Sequence, residues 1–263
     1  MPGKKKLASF VEKRFVDMRE SLEKFSTEIH QEDLHKFRVA VKKVRMVIRL
    51  LDYMGGSKKV KKAYKPLKEV FQGAGDVRNS FIILKLLGKY GLKDAPIAKR
   101  KQKELETLSR QFIAQKQSYL DLIDKAEKMI AKCLHKIKHH ELELYIQSGL
   151  HKAALSLQAA PGRDKLHKMR GQIKTIGYSL TLLEHDRAHF PGPNADYLDK
   201  MQSCIGDWHD ADSVIQLAEV TRLSAKVKDR VNKESGRLYQ KALSMGRNFM
   251  DKAFTPVHKL SVK

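Results

Sequence analysis

Leu34-His35-Lys36-Phe37-Arg38-Val39-Ala40-Val41-Lys42-Lys43-Val44-Arg45 and, 132 residues later, Leu166-His167-Lys168-Met169-Arg170-Gly171-Gln172-Ile173-Lys174-Thr175-Ile176-Gly177 are the two stretches whose comparison decides the fold. Apolar residues recur in register at Leu34, Phe37, Val41, Val44, Ile48 and Leu51 in the first, and at Leu166, Met169, Ile173, Ile176, Leu180 and Leu183 in the second. Spacings of three and four place each set on one face of an amphipathic helix. A second echo lies downstream at nearly the same offset, Gly75-Asp76-Val77-Arg78-Asn79 against Gly206-Asp207-Trp208-His209-Asp210. Two matched segments in the same order imply an internal repeat.

The rest of the chain reads the same way. Leu, Lys, Ala, Glu and Met dominate long stretches at helical spacing, and strand-like alternation is nearly absent. Punctuators stand at Gly55-Gly56-Ser57, Gly73-Ala74-Gly75, Gly91, Pro96, Pro161-Gly162 and Pro191-Gly192-Pro193. They predict helices near 7–29, 33–53, 60–72, 76–90, 96–132 (one helix or two), 138–158, 163–188, 195–206, 208–226 and 228–254. The expected fold class is all-α, with bundle packing over 7–254 and two helical halves, approximately 7–134 and 135–254.

Composition narrows the function. Lys and Arg exceed Asp and Glu to give a formal charge of +23 over 263 residues, so a polyanion is the natural partner. Aromatic residues make up 7% with one Trp, which disfavours recognition by base stacking. No apolar run reaches the ~18 residues of a membrane span. The start, Met1-Pro2-Gly3-Lys4-Lys5-Lys6, lacks the apolar core of a signal peptide. Cys133 and Cys204 have neither metal-type nor redox-type spacing, so a reduced, cytoplasmic setting is expected and no disulfide framework.

On a helical wheel of the first copy, the apolar arc covers roughly 100°, and His35, Arg38, Lys42, Arg45 and Arg49 fill a second arc of roughly 80° centred about 110° away. The cations therefore flank the core, where a neighbouring helix begins. Like charges three and four apart repel by about 0.2–0.5 kcal/mol per pair, and no acid falls on the stripe. An extended anion would relieve that repulsion along roughly 21 Å of helix. Arg suits the task because its planar fork binds phosphate oxygens in pairs. The plainer reading is a solvated charged face. The lateral position and the partial recurrence as His167, Arg170 and Lys174 favour binding, with Arg163 as a possible one-turn extension of the second stripe. Gly177 and Thr181 stand where the first copy has Arg45 and Arg49.

His-x-x-Arg followed by a basic pair, present twice in a helical chain, resembles the CHAD (conserved histidine α-helical domain) family. His35, Arg38, Lys42-Lys43 and Arg45 match the first motif, and His167, Arg170, Lys174 and Tyr178 the second, with Gly177 departing from the usual Arg. The later Gly-x-x-Arg-Asp-x-Asp type motif is kept best as Gly206 to Asp212, whereas Arg78-Asn79-Ser80-Phe81 has lost both acids. The resemblance implies two pseudo-symmetric four-helix bundles flanking a central basic groove. It also implies binding of inorganic polyphosphate, association with polyphosphate granules in several members, and in some a fused triphosphatase-type domain.

Catalysis is not expected, nor any cofactor. Glu141-Leu142-Glu143-Leu144-Tyr145 only approximates the triphosphatase Glu-x-Glu-x-Lys and lies in helical context. Asp207, His209, Asp210 and Asp212 could ligate a divalent ion, but a helix start after Gly206 favours a structural role, capping as for Asp76 or orienting Arg or Lys across the groove. His35 and His167 have no nucleophile beside them in sequence. They are expected to assist phosphate binding, which would then tighten as pH falls from 8 toward 6. Further cations that could widen the groove are Lys65, within the acid-free run Lys58, Lys59, Lys61, Lys62, Lys65, Lys68; Arg78, in the downstream echo; and Arg230 and Arg237, on one face with Lys226 and Lys241. A nucleic-acid-binding helical protein and a polyphosphate or triphosphate hydrolase are the rival readings.

Overall fold

The computed structural model describes residues 3–56, 58–157, 161–183, 192–219 and 224–254, the side chains of 183, 218 and 219 excepted. Met1, Pro2, Ser57, Gln158, 184–188, Pro191, 220–223 and the Leu183 side chain, all part of the sequence expectations, lie outside the described residues. Among the described residues there is no strand, as the all-α reading expects. The helices are α1 (Lys4–Glu28), α2 (Gln31–Tyr53), α3 (Lys58–Ala63), α4 (Lys65–Lys89), α5 (Pro96–Ala114), α6 (Lys116–Ala131), α7 (His139–Leu155), α8 (Arg163–Leu180), α9 (Ala195–Glu219), α10 (Ala225–Gly246) and α11 (Phe249–Ala253). A 3₁₀ turn, Thr181–Leu183, ends α8. No helix is long and apolar enough to cross a membrane among the described residues.

The chain separates into two compact units, one ending at Ile137 and one beginning at Lys138, three residues beyond the division read from sequence. In the first, α1 and α2 form an antiparallel hairpin, α2 packs on α4, and α4 packs on α5 and α6. The buried faces explain the pairing. α1 presents Leu7, Val11, Phe15, Met18, Leu22 and Phe25, a stripe at three- and four-residue spacing, to the apolar face of α2. The six apolar residues Leu34 through Leu51 are all buried, joined by Ala40, Met46, Val47 and Leu50. Ile29 ends α1 in the left-handed conformation (φ 55°), its N–H donating to Phe25 O at 3.0 Å. Arg19 ties α1 to α6 through Asp124 and Glu127, each at 2.8 Å.

In the second unit α8 packs between α7 and α9, and α9 pairs along its length with α10. Leu166, Met169, Ile173 and Ile176 are buried, and Gly149 of α7 lets Ile176 approach so closely that a Cβ there would lie 3.1 Å from it. Tyr197 of α9 donates its hydroxyl to Met245 O at 2.8 Å, and burial pushes its phenol up to about 12.

The structure corrects the predicted punctuation. α4 runs unbroken through Gly73-Ala74-Gly75, and α9 runs unbroken through Gly206. A glycine costs a helix interior about 1 kcal/mol relative to Ala, which tertiary packing can exceed. The packing is visible: a Cβ on Gly73 would lie 2.8 Å from Tyr119 Oη, and Cβ atoms on Gly75 and Gly206 would strike arginine side chains. Asp76 and Asp207 are therefore interior to helices and cap nothing. The 96–132 segment divides at Gln115, whose N–H turns back to Phe112 O at 3.2 Å. The expected 228–254 helix divides where Asn248 takes φ 53°.

Candidate functional site

The His-x-x-Arg helix of each unit meets the following long helix in the same way. On α2, Arg38 Nη1 donates to Phe71 O of α4 at 2.7 Å, and its guanidinium lies 4.1 Å from the centroid of the Phe71 ring. A Cβ on Gly75 would sit 2.5 Å from that Nη1. On α8, Arg170 Nε donates to Gln202 O of α9 at 3.2 Å, and a Cβ on Gly206 would sit 2.8 Å from its Nη2. In both units the accepting carbonyl belongs to the residue four before the glycine. A carbonyl inside a helix points toward the residue four later, so the missing side chain there opens it to a lateral donor.

Further cations gather around Arg38. Arg45 lies over the same Phe71 ring at 5.3 Å. Arg78 of α4 reaches back to donate to Gln31 O at 3.1 Å and lies 5.1 Å over Phe81, with its Nε buried and without an acceptor. Burial, followed by the repulsion of Arg45, holds the Arg38 guanidinium below its ordinary pKa, with Arg78 adding to the effect and Asp76 opposing it. Burial likewise lowers Arg78, against the pull of Glu32. Three guanidiniums thus converge at the α2–α4 seam in partly desolvated surroundings.

The second unit is built differently. Arg163 forms a forked ion pair with Asp212, Nη2–Oδ1 2.8 Å and Nε–Oδ2 2.6 Å, and Gln216 donates to Oδ2 at 2.9 Å. Arg163 therefore does not extend the second cationic stripe as an uncompensated charge; an internal carboxylate neutralises it. His167 meets His209 ring to ring, centroids 4.1 Å apart and nearly perpendicular, with Trp208 at 5.8 Å. Burial, then His167 and Arg170, depress the His209 imidazole to about 4, so it is neutral at physiological pH. Lys174 is lowered by burial and by Arg170, with Asp210 and Asp199 pulling the other way.

The remaining predicted residues are more dispersed. His35 is exposed and lines a cleft of about 510 Å³ between α1 and α2, with Arg14, Lys24 and the buried Asp33 among its walls. Lys42 and Lys43 are half-buried and Arg49 is exposed on α2. Lys58, Lys59, Lys61, Lys62, Lys65 and Lys68 are all exposed, and Lys61 pairs with Asp52 from the end of α2 at 3.1 Å, an acid from outside the run. Arg230 and Arg237 are exposed on α10 with Lys226 and Lys241. Arg237 and Lys241 act electrostatically on the buried Cys204 of α9, whose thiol burial pushes upward.

Among the described residues, no three of His, Cys, Asp and Glu converge as metal ligands would. Glu141 accepts from the Lys138 N–H at 2.6 Å and closes the first turn of α7, while Glu143 sits 3.1 Å from His139 Nδ1. The sequence reading missed Phe71 as the platform for two arginines, the seating role of Gly75 and Gly206, and the His167–His209 pair; it had an acid of the 207–212 cluster orienting a cation, without naming Arg163 as the partner of Asp212. The signal for the glycines was present: the two stand at offsets from their His-x-x-Arg motifs that differ by a single residue.

Fold and site define a class, all-helical proteins whose His-x-x-Arg helices carry cations to the seam with the next long helix. The CHAD domain family model matches residues 9–219, and the chain belongs to that family. No curated relative matches the chain. Among solved structures, the crystal structure of the CHAD domain from the plant Ricinus communis is similar at a TM-score of 0.69 and 15% identity, covering 96% of this chain and 93% of that one. That likeness extends to the fold.

Proposed function

We propose that this chain binds inorganic polyphosphate and does not turn it over, acting as a granule-associated or scaffolding protein of the cytoplasm. The observation that carries the reading is the convergence of Arg38, Arg45 and Arg78, a half-buried group in which neighbouring cations work against Arg38. A chain of phosphates supplies the missing charge, and its oxygens accept forked hydrogen bonds from Arg. Lys42, Lys43, Arg49 and Lys65 add charge beside this group, and His167, Arg170 and Lys174 supply the second set. Arg230 and Arg237 stand as outlying contacts on α10. Family membership supports the reading, since the resemblance drawn from the motifs implies the same ligand. Low aromatic content fits a polymer that has no bases to stack.

The test is competition. Labelled long-chain polyphosphate is bound at low salt and challenged with DNA, RNA or unlabelled polyphosphate at matched phosphate concentration, while phosphate release is followed with and without Mg²⁺. The reading expects polyphosphate to compete best and no phosphate to appear. Better competition by nucleic acid, or steady release, contradicts it.

A further inference from the structure

From the two arginine–glycine seams we infer that Arg38 and Arg170 are positioning residues, each for the polyanion-binding cations of its own unit, whose main contribution to affinity is made through the backbone of α4 and α9 rather than through direct phosphate contact. The inference rests on the proposed polyphosphate reading and divides the labour within it. Arg38 directs Nη1 to Phe71 O at 2.7 Å and lays its guanidinium face on the Phe71 ring. Nη1 and the flat face of the guanidinium are therefore both turned to the α2–α4 contact. Arg170 makes the corresponding backbone hydrogen bond, to Gln202 O, from α8.

Gly75 and Gly206 make these contacts possible. Both are buried in the middle of long helices, where glycine is unfavourable, and each would place a Cβ against the arginine it faces. The pairing recurs although the surrounding chemistry does not. Around Arg38 stand Arg45 and Arg78; around Arg170 stand His167, His209 and the Arg163–Asp212 pair. A feature kept while its neighbours change from arginines to histidines is tied to the helix contact itself.

The consequence reaches Arg45. It lies over the same Phe71 ring as Arg38, and among the described residues no backbone carbonyl holds it. By fixing α4 against α2, Arg38 sets the place of the Phe71 platform, and with it the separation of Arg45 from Arg78 across the seam. Arg45 is the guanidinium left to meet phosphate.

Gly75→Ala tests this without removing a charge. Alanine favours the helix, and the added methyl meets only the mobile end of Arg38, so the variant keeps its fold while Arg38 leaves the Phe71 carbonyl. Polyphosphate affinity is measured against salt at a temperature where every variant is folded, for wild type, Gly75→Ala, Arg38→Gln and Arg45→Gln. We expect Gly75→Ala and Arg38→Gln to weaken binding about tenfold while keeping the wild-type slope of log K against log salt, and Arg45→Gln to lower that slope by about one phosphate. Unchanged or tighter binding by Gly75→Ala overturns the positioning role, as does a slope lost in Arg38→Gln. Absence of binding by the wild type is a different failure, since it removes the polyphosphate reading itself.

Discussion

His209 is the residue whose chemistry departs most from what its type suggests. Its imidazole sits at about 4, below the ordinary 6.5, because it is half-buried, abuts His167 and faces Arg170 and Arg163, against which Asp212 gives partial relief. In the unfolded chain the ring takes up a proton near its ordinary value, so between pH 6.5 and 4 the unfolded state binds more protons. The stability that neutral His209 contributes is thus complete above about 6.5 and is lost as pH falls toward 4. The melting temperature of the wild type is expected to drop more steeply across this window than that of His209→Gln, and thermal unfolding at matched pH values reads the difference. Parallel curves would show that His209 titrates alike in both states. Of the two histidines singled out by sequence, His35 opens onto the α1–α2 cleft and His167 backs onto His209. The chemistry of that pair was invisible in sequence, because nothing local announces that a residue on another helix will stand 4.1 Å away.

The seam between α8 and α9 is held by an ion pair that also neutralises an exposed cation. Asp212 is 5% exposed, while the Arg163 side chain keeps 45% of its exposure, so the pair is only half-desolvated and its strength is discounted accordingly. Asp212→Asn is expected to lower stability by about 1–2 kcal/mol, measured by urea unfolding. The same substitution frees Arg163 and is expected to strengthen polyphosphate binding; weaker binding would argue that Asp212 orients Arg163 toward the ligand. Helix faces were legible from periodicity alone, because apolar spacing on α2 and α8 is a direct consequence of which side is buried. Helix ends were less so. Gly75 and Gly206 read as breaks because glycine usually marks them, yet here its lack of a side chain serves an arginine from another helix. At Gln115 the chain turns without glycine or proline, which is why the sequence left 96–132 open as one helix or two. Long-range packing decided the glycines, and a local reading cannot see it.

Across the whole chain, a formal charge of +23 makes self-repulsion a standing cost. The sequence revealed that excess, its helical setting and the two motifs that carry part of it; family membership follows from those motifs, and the model matched over 9–219 agrees. It did not reveal that the two sets of cations differ in kind. The first is an arginine group gathered on Phe71, and the second is a histidine pair beside an internally neutralised arginine. Pairwise contacts of this sort depend on rotamers and neighbours that spacing does not encode. A polyanion that binds the folded chain stabilises it by mass action, about 2.7 kcal/mol when the ligand stands at a hundred times its dissociation constant. For a protein of this size that corresponds to a rise of roughly 5–10 °C in melting temperature. Thermal unfolding in low salt, with and without saturating long-chain polyphosphate, is the most direct measurement. The account predicts an upward shift of that order which fades as salt is added; an unshifted transition at low salt would contradict it.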